Sequence, residues 1–127
     1  MILVDSNIWI STWRGTSESV SKKLGSLVES GQAFINPFIL TELLQGTTSK
    51  KHQNQIRELL EPIPVLNLPN NLWVKAAEFY LEFKTKGITA TTIDCYLATH
   101  CLQLDIPIWS LDHIFLKMAK IRKLKCL

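Results

Sequence analysis

An alternation along the chain limits the possible folds more than any other feature. Short apolar runs recur at residues 1–5 (MILVD), 32–36 (QAFIN), 63–68 (IPVLNL), 106–111 (IPIWSL) and 121–127 (IRKLKCL). They are too short for helices and predict strands. Helical spacing fills the intervals, over residues 18–30, 38–46, 49–60, 70–86, 91–104 and 112–118. Val20, Leu24, Leu27 and Val28 share one face of the first of these; Leu72, Ala76, Phe79, Tyr80 and Phe83 form one stripe of 70–86. Gly31, Gly46 and Gly87 supply stops. Asn36-Pro37 supplies a start, with Asn as cap and Pro in the first turn. The predicted order is β-α-β-α-α-β-α-α-β-α-β. Strands alternating with helices imply the α/β class, here a three-layer α/β/α arrangement around a mostly parallel sheet. Pro62, Pro64 and Pro69 frame the run at 63–68 and predict an edge position for it.

A length of 127 residues suits one domain, expected to span 1–127, and 46% hydrophobic content is enough for a core. No uninterrupted apolar stretch reaches transmembrane length. The first residues lack the basic start of a secretory leader, and Asp5 breaks their apolar run, so a cytoplasmic location is expected. Cys95, Cys101 and Cys126 show no CxxC spacing and predict buried thiols in a reducing compartment.

Four acids occupy one kind of place in this pattern. Asp5 ends the first strand, and Glu42 lies inside the helix after the second. Asp94 lies in the first turn of the helix beginning near Thr91, and Asp112 follows the strand IPIWS. Functional residues of a parallel sheet gather at the carboxyl ends of its strands, so all four can share one rim. Each has a structural alternative: Asp94 as the acid of a capping box with Thr91, Asp112 as a helix cap, Asp5 as a turn cap, Glu42 as a solvent-facing helix residue. Those alternatives do not explain why four acids share one rim. Carboxylates brought close repel one another unless cations intervene. Oxygen ligands favour Mg²⁺ or Mn²⁺ over zinc, and a carboxylate-held Mg²⁺ beside basic residues suits chemistry on phosphates.

The segments ILVDSNIWI, FILTELLQG, TATTIDCYLATH and IPIWSLDHIFLKMA resemble the four acidic motifs of PIN domains, most closely those of small VapC-type ribonuclease toxins of bacterial toxin–antitoxin pairs. The resemblance covers essentially the whole chain, in order. It implies a Mg²⁺-dependent endoribonuclease acting on single-stranded or loop RNA, held in check by a cognate antitoxin protein. By the same resemblance Asp5 and Asp94 match the principal metal ligands, and Glu42 and Asp112 the further acids of the pocket. Asn7 and Ser110 match flanking polar positions whose short side chains can orient a carboxylate. Cys95 and Tyr96 depart from the small residues usual after the third motif, which bears on helix packing. The resemblance, with a helical surface rich in Leu, Phe and Trp, also implies a homodimer formed through helices.

Net charge is +3, and Lys117, Lys120, Arg122, Lys123 and Lys125 crowd the last eleven residues, where there is no acid. Lys120, Arg122, Lys123 and Lys125 are candidates for RNA phosphate contact, against the alternative of a solvated face and a charged edge strand. Trp9 and Trp13 are either core or part of a partner groove; Trp73 and Trp109 read as core. His52, His100 and His113 lack metal-ligand spacing. A signalling receiver domain would need an acidic pair after the first strand, where only Asp5 stands. A dehalogenase-type phosphotransferase would need aspartates around one residue, and Asn7 breaks that pattern. A catalytically inactive PIN-like scaffold that binds RNA or protein remains the competing function; its mark would be a missing pocket acid.

Overall fold

A computed structural model describes all residues, 1–127. Three parallel strands form the sheet: β1 (Ile2–Val4) lies at its centre, between β2 (Ala33–Phe34) and β3 (Ile108–Trp109). Seven helices accompany it: α1 (Ser6–Arg14), α2 (Glu18–Glu29), α3 (Pro37–Gln45), α4 (Lys50–Leu60), α5 (Leu72–Thr85), α6 (Thr92–Leu104) and α7 (Ile114–Ala119). Successive strand residues face opposite sides of a sheet. Ile2, Leu3 and Val4 are all buried, so both faces of the central strand are covered. The result is the three-layer α/β arrangement that the alternating pattern predicts.

The two outer predicted strands shrink to single bridges. Val65 pairs with Ile35 and Cys126 with Ile108, both in parallel, and together they extend the sheet by one position at each edge. Prolines limit the first: the Pro64 carbonyl takes the Ile35 N–H and Leu66 donates to the Ile35 carbonyl, but Pro64 has no N–H to continue the ladder. At the other edge Ile108 donates to the Lys125 carbonyl and accepts from Leu127.

Helix α1 is an addition to the sequence-based pattern. Asp5 caps it, accepting the Ser6 N–H, and Gly15 closes it in the left-handed conformation at φ 65°. Its Ile8 and Trp9 are buried, and the Trp9 indole N–H donates to the Val4 carbonyl at 3.1 Å. Trp9 is therefore core, as is Trp109. Trp73 is not: it is 60% exposed. Leu72, Ala76 and Phe83 form the buried stripe of α5, and a residue one position along a helix turns about 100° away from it.

Candidate acidic site at the carboxyl rim of the sheet

Asp5 stands one residue past β1, at the junction with α1, and only 6% of it is exposed. Its Oδ1 accepts the Ser6 N–H at 2.7 Å. Its Oδ2 accepts the Ser110 hydroxyl at 2.7 Å and the Asn7 side-chain amide at 3.3 Å. Ser110 stands one residue past β3, the strand next to β1, so adjacent strand ends bring the two together across 105 positions of sequence. Asn7 completes the bracket: its Oδ1 accepts the Leu111 N–H at 3.0 Å and its Nδ2 lies 3.0 Å from the Ser110 Oγ. Ser110 Oγ in turn accepts the Asp112 N–H at 3.0 Å, and Asp112 Oδ1 accepts the Ile114 N–H. Asp5, Asn7, Ser110 and Asp112 thus form one hydrogen-bonded unit.

Asp94 and Glu42 enter from helices. Asp94 occupies the third position of α6 and forms the capping box: its Oδ2 accepts the Thr91 N–H at 3.1 Å, and its own N–H donates to the Thr91 hydroxyl. Capping leaves its charge in place. Glu42 lies in the second turn of α3, half-buried, and its Oε1 is shut off from solvent with no hydrogen-bond partner. A buried, unsatisfied carboxylate oxygen costs about 1–3 kcal/mol or more, so this atom calls for an explanation.

Electrostatics join all four. Burial pushes the Asp5 pKa above the usual carboxylate value; the Ser110 and Ser6 hydrogen bonds pull it back, and the charges of Asp94 and Asp112 raise it further. Burial also raises the Glu42 pKa, with Asp5 and Asp94 adding to it. No intramolecular cation relieves this repulsion. The ion pairs of the chain use Glu18, Glu78, Glu82 and Asp105, and none uses Asp5, Glu42, Asp94 or Asp112. The acids share a rim without forming a preassembled cage, since no three Asp, Glu, His or Cys side chains converge closely enough to hold an ion.

The basic tail is placed differently. Arg122 donates from Nε and Nη2 to the Glu82 Oε2, at 3.0 and 2.8 Å, and its guanidinium lies over the Phe79 ring. Lys125 pairs with Asp105 at 2.9 Å. Asp105 precedes β3 whereas Ser110 and Asp112 follow it, so this pair sits at the far end of that strand from the acids. Two of the four candidate phosphate contacts therefore already have carboxylate partners; Lys120 and Lys123 are exposed and unpaired.

Tyr96, one of the departures from the usual third motif, stacks on Phe38 of α3 with centroids 4.4 Å apart, and Cys95 is buried. A cleft of about 250 Å³ between α1, α3 and α4 is lined by Ile10, Trp13, Leu43 and Ile56, with Arg14 and His52 at its polar side. Trp13 is therefore a groove residue. Arg14 and His52 carry no motif that would single them out in sequence.

The chain belongs to the PIN domain family, whose model matches residues 2–121. Solved structures share the fold at low identity. VapBC2 from Rickettsia felis, bound to a DNA fragment from its promoter, is 21% identical with a TM-score of 0.80, over 100% of this chain and 98% of that one. VapBC-1 from nontypeable Haemophilus influenzae is 18% identical with a TM-score of 0.77, over 100% and 97%. FitAcB from Neisseria gonorrhoeae is 22% identical with a TM-score of 0.74, over 100% and 96%. No curated protein sequence matches the chain. No helix is long and apolar enough to cross a membrane.

Proposed function

We propose that this chain is a Mg²⁺-dependent endoribonuclease and the toxin of a type II toxin–antitoxin pair. The observation that carries the proposal is the set of four mutually repelling carboxylates at the rim, unpaired with any cation, one of which leaves a buried oxygen unsatisfied. A divalent cation would relieve both. The donors are all oxygen, which fits Mg²⁺, with Mn²⁺ able to substitute. Asp5 and Asp94 would hold the ion, with Glu42 and Asp112 in direct or water-mediated reach. When bound, the ion would acidify an attacking water and neutralise charge developing on phosphorus.

The chain's own groups prepare that chemistry. Ser110 and Asn7 hold the Asp5 carboxylate in one orientation, and supporting bonds of this kind tune a metal site strongly. Burial and the neighbouring Asp5 and Asp94 raise the proton affinity of Glu42, which suits its carboxylate to take a proton from water. No side-chain nucleophile is required. Exposed Lys120 and Lys123 would meet RNA phosphates.

The partner proteins follow the same reading. A solved neighbour from Klebsiella pneumoniae is a toxin–antitoxin complex, and the cleft holding Ile10, Trp13, Leu43 and Ile56 offers this chain an apolar seat for such a partner. A second copy would cover the face of α5 where Trp73, Val74 and Leu81 are exposed. Light scattering should show a dimer at micromolar concentration without antitoxin; a monomer would count against that face.

The decisive experiment is cleavage of an RNA panel by purified protein. Wild type should cut with Mg²⁺ and stop in chelator, and Asp94→Asn should not cut. If Asp94→Asn cuts at the wild-type rate, in preparations shown free of contaminating nuclease, Asp94 is only a helix cap and the inactive scaffold should replace the enzyme.

A further inference from the structure

One polar pair in the core belongs to no site described so far. The sheet register pairs Leu3 with Phe34 on one side and with Ile108 on the other. Continued by two residues, it sets Asn36, Asp5 and Ser110 in one row past the strand ends. Ser110 bonds to Asp5, whereas Asn36 bonds to His100 instead. Its Nδ2 lies 3.1 Å from His100 Nδ1 on α6, and both residues are fully buried. The donor roles follow by elimination. Asn36 Oδ1 accepts the Ile39 N–H at 3.0 Å, capping α3, so the amide's donor end faces the ring. His100 Nδ1 must therefore accept, and the ring is neutral with its hydrogen on Nε2. Burial favours that neutral form, with a backbone group of Asn67 opposing it in part. Nε2 itself completes no hydrogen bond.

A buried polar pair adds little net stability but selects one arrangement of the elements it joins. Here those elements carry two of the acids. Helix α3 is capped by Asn36 and bears Glu42; α6 bears Asp94 and His100. The Phe38–Tyr96 stack is a second tie between the same helices. We infer that Asn36 and His100 are positioning residues, fixing α3 against α6 and so setting the separation of Glu42 from Asp94. Neither touches ion or substrate. The inference rests on the acids being a metal site.

Three variants test it by Mg²⁺ titration calorimetry, with thermal melts to confirm folding. Asn36→Ser keeps a good helix cap but removes the donor to His100. His100→Leu removes the acceptor, and His100→Gln restores a carbonyl able to accept. Asn36→Ser and His100→Leu should weaken Mg²⁺ binding by about tenfold or more, the range seen when supporting contacts to metal ligands are lost, and His100→Gln should recover most of the affinity. If His100→Leu does not fold, the other two variants carry the comparison. Undiminished affinity in folded Asn36→Ser overturns the positioning role alone. A wild type that takes up no Mg²⁺ overturns the metal site and the positioning role with it. Nitrogen NMR of the wild-type ring gives a readout independent of metal: a hydrogen on Nδ1 at neutral pH would contradict the pair as described.

Discussion

The two charged regions of this molecule treat charge in opposite ways. In the C-terminal tail, Arg122 meets Glu82 at 2.8 Å and Lys125 meets Asp105 at 2.9 Å, so that part of the basic charge is answered within the fold. At the carboxyl rim of the sheet burial and neighbouring carboxylates raise the proton affinity of Asp5 and Glu42, and no lysine or arginine pairs with any of the four acids. A fold that needs charge for its own cohesion supplies a partner; one that leaves like charges together and partly buried has left the partner to come from outside. The rim therefore reads as a binding site, and the tail as structural in part, through Arg122 and Lys125.

The comparison can be broken most severely at the rim. Asp94→Asn should reduce RNA cleavage to background while leaving binding in chelator the same or slightly tighter, because one charge that repels phosphate is gone. Filter binding beside the cleavage assay separates the two effects. The next largest effect belongs to the unpaired lysines. Replacing Lys120 and Lys123 by Gln should weaken binding to unrelated RNAs, each lost contact lowering the log–log salt slope by roughly 0.7 for a single strand. Arg122→Gln should behave differently. It removes the bond to Glu82 and the contact with Phe79, so it should lower the chemical-denaturation midpoint slightly and change the salt slope little. If Arg122→Gln lowers the slope as much as Lys120→Gln does, the tail is a phosphate surface throughout and the contrast fails.

The smallest expected effect is on the melting temperature. In chelator at pH 7, Glu42→Gln should melt a few degrees above wild type. Burial and the neighbouring Asp5 and Asp94 raise the Glu42 pKa, so the folded chain binds this proton more tightly than the unfolded chain. The charged carboxyl therefore opposes folding above its folded pKa, and this is relieved as pH falls through it. The gap between the two proteins should accordingly narrow from pH 7 towards the ordinary glutamate range near 4.3. Protonation of buried His100 opposes folding at low pH in both proteins and drops out of the difference. Excess Mg²⁺ should reverse the order, with wild type melting higher.

Much of this is legible in the sequence. The alternation of strand and helix predicts the parallel sheet, and the position of each acid after a strand or early in a helix predicts the shared rim. Helix α1 was not legible, because Ile8, Trp9 and Ile10 are consecutive and look like a strand resumed. What reveals the helix is the Asp5 cap and the left-handed Gly15. The edge strands at 63–68 and 121–127 are shorter than their apolar runs suggest: prolines interrupt the first, and each is held by one bridge. Trp73 departs from the expectation that large apolar residues are buried, because the stripe through Leu72, Ala76 and Phe83 turns position 73 outward. The tail was harder still. Glu82 and Arg122 are 40 positions apart, and nothing local shows that an arginine's charge is met by so distant a glutamate. The pairing of Asn36 with His100 across 64 positions was hidden for the same reason.

The central claim is that the rim acids bind a divalent cation, and calorimetric titration with Mg²⁺ tests it most directly. Wild type should show saturable binding that competes with Mn²⁺, and both Asp5→Asn and Asp94→Asn, still folded by circular dichroism, should lose it or weaken it by at least about tenfold. Mg²⁺ affinity unchanged in both variants would contradict the account.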